Sequence, residues 1–272
     1  MFYYFATVIF VFGTIIGSFL NVVALRLNTG KGLMGRSFCM TCGKTIKSYD
    51  LFPILSFLCL GARSRCCKTK ISAQYPLVEF ITGIVFLSIF LKFYNLAYVP
   101  MLVPTFWYLV FCILIVITIY DVRHQIIPDF LSYTFAFLSF VYFIGGKNLS
   151  SVFSYPEILN LLAGPIIFAV FSSIWFVSKG KWIGFGDGKL ALGMGFALGL
   201  SQSLSAMAFA FWLGAIWSVF ILFFQKLGFA RSRFNFKSAV PFAPFMIAGF
   251  FLAFIFAPDV FSLNTLIFSN VQ

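Results

Sequence analysis

Long apolar runs recur along the chain and are separated by short polar segments. The runs occupy residues 2–25, 77–91, 101–120, 130–144, 158–177, 204–224 and 242–256, and a weaker run rich in Gly and Ala occupies 190–200. A helix needs about 20 apolar residues to span a hydrocarbon core, and backbone groups in lipid must be paired within their own segment. The pattern predicts an all-α polytopic membrane protein of about eight transmembrane helices, in which 190–200 is a short or tilted span.

Composition and charge agree with this prediction and set an orientation. Apolar residues make up 61% of the chain and charged residues 10%, against about 25% charged in soluble domains. With eight spans and an external N-terminus, all Lys and Arg except Lys92 and Lys147 fall on one side, within 26–70, 121–129, 178–189 and 225–240. Basic loops stay cytoplasmic. The net charge of +12 therefore indicates anionic lipid headgroups as the partner of these loops, and no nucleic acid.

The chain divides into two predicted domains. Residues 1–95 hold the first helix, a cytoplasmic cysteine-containing loop and the second helix, and residues 96–272 form a bundle with short connections. The loop at 28–75 is too long to be a simple connector. Residues 2–25 have no basic n-region and no small-residue cleavage site, so we interpret them as a retained first span.

Four of the six cysteines lie in the basic loop. Cys59 and Cys112 lie in apolar stretches and are interpreted as packing residues. A cytoplasmic loop disfavours disulfides, and a C-x2-C turn presents two thiolates to one metal ion. The second pair is irregular, because its cysteines are adjacent and follow Ser64. The loop predicts either a structural zinc site or a set of reduced, unliganded thiols, at Cys39, Cys42, Cys66 and Cys67.

The chain has seven acidic residues, and their positions are informative. One group is YDVRHQIIPD at 120–129, and another is GFGDGK at 184–189. Ionisable residues at membrane depth are costly and usually functional. Two carboxyl groups brought together share a proton, so that one acts as an acid while the other activates water to hydrolyse an amide. We predict Asp121 and Asp187 as this pair, because Asp129 follows Pro128 and is suited to cap the next helix.

Glycines surround the second aspartate. Gly184, Gly186 and Gly188 tolerate unusual backbone conformations and allow a substrate strand to approach, although a plain turn is the alternative interpretation. Other charged residues near the aspartates are more typical of headgroup contacts than of catalysis, and a single His without neighbouring ligands is a weak metal site. These residues are Arg123, His124 and Lys189.

Six segments in order resemble the type IV prepilin peptidase family, the membrane-embedded GxGD aspartic proteases of bacteria. They are GSFLNVV at 17–23 followed by Arg26, SFCMTCG at 37–43, ISAQYPLVE at 71–79, the two aspartate motifs, and VPFAPF at 240–245. The resemblance covers nearly the whole chain. The chain departs from the family at Met40, where Pro is usual, and at Ser64, where the family has the first Cys of a second C-x2-C.

The resemblance implies a function. An enzyme of the bacterial inner membrane would cleave the basic leader of prepilins, pseudopilins or competence pilins at the cytoplasmic face, after a glycine, with Asp121 and Asp187 and no cofactor. It would also methylate the new N-terminus with S-adenosylmethionine, in a half that contains Asn21, Glu79 and the zinc-binding cysteines. Ser64 leaves a peptidase without methyltransferase activity as an alternative.

Two other classes of protein remain open at this point. In a transporter, Asp121, Asp129 and Asp187 would form a proton or cation path, but such proteins often carry inverted repeats and broken helices, which the sequence does not indicate. The other class is a non-catalytic assembly factor with a zinc-ribbon loop.

Overall fold

The computed structural model describes residues 1–30, 32, 35–94, 100–145, 147–155, 157–226 and 240–262. In this part of the chain the regular elements are helices. They are α1 (Phe2–Arg26), α2 (Leu55–Cys59), α3 (Gln74–Tyr94), α4 (Leu102–His124), α5 (Asp129–Gly145), α6 (Leu149–Val152), α7 (Glu157–Ser178), α8 (Phe185–Lys226) and α9 (Ala243–Phe256), with a 3-10 turn at Ser48–Leu51. Of the basic residues at 225–240 that we predicted to lie on the cytoplasmic side, Arg231, Arg233 and Lys237 are outside the described residues.

All eight predicted apolar segments are helical, and the all-α prediction is confirmed. Five helices are long and apolar enough to cross a membrane, namely α1, α3, α4, α7 and α8, while α5 and α9 are shorter apolar helices. The 42-residue α8 contains two of the predicted segments, because it breaks at Gly199 (φ 76°, ψ −179°). Residues other than glycine rarely adopt this backbone conformation.

Gly199 separates a first arm of α8, residues 185–198, from a second arm, residues 200–226. Asn160 of α7 stabilises the break, because its Oδ1 accepts a hydrogen bond from the Leu200 N–H at 3.1 Å. The second arm is antiparallel to α9. Gly214 lies beside Phe242 and Phe245 at the start of α9. Ser201 donates to Asp259, after the end of α9, at 2.7 Å.

The chain forms two compact units, Met1–Ile119 and Tyr120–Gln272, with the boundary inside α4. In the first unit α1 packs closely on α3, since a Cβ at Gly17 would lie 2.8 Å from the Cα of Glu79. In the second unit α8 packs against α5, α7 and α9. The functional division into 1–95 and 96–272 stays a prediction.

The close crossing of α7 and the first arm of α8 requires a residue without a side chain at Gly195. A Cβ at Gly195 would overlap the backbone of Gly164 and Ala163. Over-packing of this kind costs about 1–3 kcal/mol or more. We therefore expect Gly195→Leu to lower the thermal unfolding midpoint in detergent by several degrees, while Gly145→Leu, which meets open space, leaves it unchanged. Equal midpoints in the two variants would contradict this packing.

Candidate active site

Asp187 lies in the first turn of α8 and is held by the backbone that precedes it. Its side chain accepts a hydrogen bond at Oδ2 from the Gly184 N–H at 3.1 Å, and its own N–H donates to the Gly184 carbonyl at 3.2 Å. This reciprocal pair resembles a helix capping box, in which a side chain in the first turn reaches back to an unpaired N–H. Asp187 is 7% exposed, so its carboxyl group is fixed in position and largely shielded from solvent.

Asp121 lies in the last turn of α4 and is 5% exposed. The backbone N–H of Ala243, the first residue of α9, lies close to its carboxyl group. Its Oδ2 is buried and has no hydrogen-bond partner among the described residues. A buried polar atom without a partner is costly unless a ligand or water satisfies it. Asp121 therefore has one acceptor available for chemistry.

The fold brings Asp121 and Asp187 together. The two side chains are close enough for an electrostatic interaction between their charges. The same end of the unit also holds Ala243, so the start of α8 and the start of α9 meet at the two carboxyl groups. Since the second arm of α8 is antiparallel to α9, the two arms of α8 run in opposite directions. The two aspartates thus form a buried pair at one end of the helices.

The glycines of the GFGDGK segment allow close packing and do not provide unusual conformations. Positive φ angles occur at six described glycines, and Gly184, Gly186 and Gly188 are not among them. A Cβ at Gly186 would lie 3.0 Å from the Cβ of Ile127. The close approach predicted for a substrate strand is therefore made, at Gly186, by the chain's own segment before α5.

Asp129 and Lys189 form an ion pair between α5 and α8. The Lys189 ammonium lies 2.7 Å from Oδ1 of Asp129, which has a 65% exposed side chain, while the Lys189 side chain is 10% exposed. The ammonium also lies over the rings of Phe185 and Tyr133. The interpretation of Lys189 as a headgroup-facing charge is wrong, because its neighbours enclose it. The pair fixes the start of α5 to the turn that carries Asp187.

In the first unit, Asn21 and Glu79 are buried where α1 packs on α3. Asn21 is fully buried and donates from Nδ2 to the carbonyls of Gly17 and Tyr75, each at 3.3 Å. Its Oδ1 has no hydrogen-bond partner among the described residues. Glu79 accepts a hydrogen bond from the Ile54 N–H at 2.7 Å, and its carboxyl group lies close to the Ser18 side chain. Two polar groups, one with an unused acceptor, therefore lie between apolar helices.

The four cysteines of the basic loop converge on one point. Their sulfur atoms all lie within 4.8 Å of one another, with Cys42–Cys66 at 3.3 Å and Cys39–Cys67 at 3.6 Å. Tetrahedral zinc with bonds of about 2.3 Å requires sulfur atoms about 3.8 Å apart. The cluster fits a four-thiolate metal site. Cys59, which we predicted to be packed, is exposed instead.

Two similar turns supply these cysteines. In the first turn, the Cys39 N–H donates to the Lys44 carbonyl, and the Gly43 N–H donates to the Cys39 carbonyl. In the second turn, the Ser64 N–H donates to the Thr69 carbonyl, and the Lys68 N–H donates to the Ser64 carbonyl. Ser64 therefore matches Cys39, and Cys67 matches Cys42. The adjacent Cys66 supplies the sulfur that Ser64 lacks, at 3.8 Å from Cys67.

Hydroxyl groups in the second turn change the pKa of a cysteine thiol. Hydrogen bonds from Ser64 and Thr69 lower the pKa of the Cys67 thiol to about 6. The hydrogen bond with Cys42 raises the pKa of Cys66 to about 12. Since the thiolate is the metal ligand, Cys67 is prepared to bind as an anion, and Ser64 acts as its hydrogen-bond partner.

Sequence reasoning missed two contributors to the aspartate site. The first is the backbone N–H of Ala243, which no side-chain pattern reveals, although the VPFAPF segment marked the region. The second is the partnership of Lys189 with Asp129, since their side chains lie 60 residues apart in the chain.

Comparisons with known proteins match both halves of the chain. The model of the bacterial peptidase A24 N-terminal domain matches residues 11–93, and that of the type IV leader peptidase family matches 108–219. No solved structure matches.

Relatives that carry the name prepilin leader peptidase/N-methyltransferase include proteins of three bacterial species. The protein of Bacillus subtilis strain 168 is 28% identical over 260 residues, which cover 94% of this chain and 96% of the relative. The protein of Klebsiella pneumoniae is 32% identical over 70% of this chain and 84% of the relative. The protein of Myxococcus xanthus is 31% identical over 80% of this chain and 63% of the relative. The chain belongs to the type IV leader peptidase family.

Proposed function

We propose that this protein cleaves the leader peptide of prepilin-like proteins with Asp121 and Asp187. The observation that carries the proposal is the buried pair of carboxyl groups at one end of the second unit, which interact electrostatically. Family membership and the names of the relatives support the same activity and disfavour the transporter. The protein is a multi-pass membrane protein of the bacterial inner membrane, and we place its active site at the cytoplasmic face.

The arrangement supports hydrolysis by general acid and base. Two buried carboxyl groups this close do not both ionise, so one keeps a proton. The ionised group takes a proton from water as the water oxygen attacks the scissile carbonyl carbon, and the protonated group gives its proton to the departing nitrogen as the C–N bond breaks. The unpaired Oδ2 of Asp121 is available for the water. The Gly184 N–H keeps the Asp187 carboxyl group in place.

Co-expression with a candidate prepilin tests this function. The mass of the prepilin is expected to fall by the mass of the leader when the protein is present, less the mass that a methyl group adds where the new N-terminus is methylated. An unprocessed prepilin, across pilus subunits, pseudopilins and competence pilins, would contradict the proposal. Because cleavage requires no ion gradient, it should persist in detergent, which a transporter interpretation does not explain.

We also propose that the protein methylates the new N-terminus. S-Adenosylmethionine would supply the methyl group. The buried Asn21 Oδ1 without a partner and the buried Glu79 fit a site that accepts hydrogen bonds from an amine, so these residues would hold the donor or the substrate amine. Incubation with labelled S-adenosylmethionine and cleaved substrate should give labelled product. Asn21→Ala should lose the label and keep cleavage, whereas an unchanged label would remove Asn21 from the site.

The cysteine cluster is proposed to hold zinc through Cys39, Cys42, Cys66 and Cys67. Zinc in a closed four-thiolate site is structural and joins parts of a loop that has little core of its own. The fit of the sulfur atoms supports this assignment. The ion takes no part in proteolysis, since the aspartates need no metal.

The Lys189–Asp129 pair is expected to position Asp187. Lys189→Met should lower kcat for leader cleavage by about tenfold or more with a smaller change in KM, because small displacements of a catalytic group are costly. Lys189→Arg should restore part of the activity. The matched control is Lys181→Met, since Lys181 is exposed. Equal kcat for Lys189→Met and the control would show that the pair plays no positioning role.

A further inference from the structure

The segment 49–60 of the cysteine loop exposes large apolar side chains. It contains the end of the 3-10 turn and the short helix α2. The exposed fractions are 41% for Leu51, 63% for Phe52, 61% for Leu55 and 66% for Leu58. An apolar patch of this kind on a loop marks a contact with a membrane or another protein.

A hydrogen bond fixes this segment at the end of the α1–α3 pair. The Ile54 N–H, directly before α2, donates to Oε2 of Glu79 at 2.7 Å. Glu79 is buried in the second turn of the membrane-spanning α3, so α2 begins level with the first turns of a span. Ile54 has φ +60°, which is rare for a β-branched residue and persists only where surrounding contacts hold it. The position of α2 is therefore determined by the fold.

The same level of α3 faces lipid. Leu77 and Phe80, on either side of Glu79, are 58% and 48% exposed. In a helix that crosses a membrane, exposed apolar side chains contact acyl chains. Because α2 is tied to this turn, its exposed Leu55 and Leu58 lie at the depth where the bilayer surface begins.

The positive charge around segment 49–60 indicates what binds to its apolar patch. The loop around segment 49–60 carries seven exposed basic residues, Arg36, Lys44, Lys47, Arg63, Arg65, Lys68 and Lys70. Its single acid, Asp50, is paired with Arg65 at 2.9 Å. Anionic headgroups attract such segments by about 1 kcal/mol per basic residue near the surface. A basic peptide would be repelled by the same charges, so a membrane fits the patch better than a basic protein segment.

We propose that segment 49–60 is an interfacial anchor that holds the cysteine cluster on an anionic bilayer. Phe52, Leu55 and Leu58 enter the boundary between headgroups and acyl chains, to a depth of about 5–10 Å. The surrounding Lys and Arg residues contact lipid phosphates. This inference depends on the membrane location of the chain and does not require its peptidase activity.

Photo-cross-linking of the full-length protein tests the anchor. A benzophenone amino acid is placed at Leu55 or Leu58, and the protein is reconstituted in vesicles of phosphatidylglycerol and phosphatidylethanolamine. Position 12 is the positive control, since Phe12 is exposed within the α1 span, and position 40 is the matched control, since Met40 is 68% exposed in the first cysteine turn. Unchanged thermal unfolding shows that each variant is folded.

Lipid adducts detected by mass are expected at positions 55 and 58 with yields within about threefold of position 12, and with much lower yield at position 40, as insertion to the acyl boundary requires. Vesicles of neutral phosphatidylcholine should lower the yields at 55 and 58 and leave position 12 unchanged. Yields at 55 and 58 no higher than at 40, or adducts with an added prepilin in place of lipid, would overturn the anchor. Equal yields in both vesicle types would overturn the role of headgroup charge.

Discussion

Asp121→Asn and Asp187→Asn are each expected to lower the rate of leader cleavage by the purified protein in detergent at least about a hundredfold. Each variant removes one of the two groups that exchange protons with water and with the departing nitrogen. General acid or base catalysis contributes about 10²- to 10⁴-fold, and loss of either group should lower the rate at least that much. Asn keeps the shape of the side chain, so the Gly184 N–H retains an acceptor at residue 187. The measurement is the mass of the substrate N-terminus over time.

The matched control for both variants is Asp50→Asn. Asp50 is an acid of the cysteine loop that pairs with Arg65, and its replacement should leave cleavage near the parent rate. Thermal unfolding of all three variants shows whether they are folded. Full activity in Asp121→Asn or Asp187→Asn would remove that residue from the mechanism and would favour a non-catalytic role for the protein.

Loss of a cluster cysteine is expected to remove most of the bound zinc. Metal binding to a four-thiolate site contributes about 10–16 kcal/mol in isolated zinc modules, so losing one ligand has a large effect. Cys42→Ser and Cys66→Ser should both purify with little zinc by elemental analysis. Cys59→Ser is the control, because Cys59 lies in α2 outside the cluster. Parent levels of zinc in Cys66→Ser would show that Cys66 is not a ligand.

The similarity of the two cysteine turns leads to a sharper variant of this experiment. Ser64 occupies the position that matches Cys39, so a Cys at residue 64 should take over from Cys66. The double variant Ser64→Cys, Cys66→Ser is expected to retain the zinc that Cys66→Ser loses. If the double variant is also free of zinc, residue 64 of the second turn does not present a metal ligand in the way that Cys39 of the first turn does.

Much of the fold was predictable because the apolar runs are long and the acids are few. The runs predicted every long helix within the described residues, including the two arms of α8. Asp121 and Asp187 were predicted because an ionisable residue at the end of an apolar span has few structural uses. The first C-x2-C turn was equally informative, because its spacing alone presents two sulfur atoms to one point.

The features of the fold and of the site that the sequence did not predict depend on contacts between residues that are distant in the chain. Periodicity does not show that α8 reverses at Gly199, since the reversal needs the Asn160 side chain of α7. The contact of Ala243 with Asp121 is made by a backbone group and leaves no mark on residue type. The burial of Lys189 was unexpected because its partner Asp129 and its ring neighbour Tyr133 come from α5.

A double-mutant cycle on the rate of leader cleavage tests most directly whether the two aspartates act as one unit. The parent, Asp121→Asn, Asp187→Asn and the double variant are compared with the same prepilin in detergent. Residues that act together are strongly non-additive, so the double variant is expected to be no slower than either single variant. A double variant whose loss equals the product of the single losses would show that Asp121 and Asp187 act independently and would contradict a shared active site.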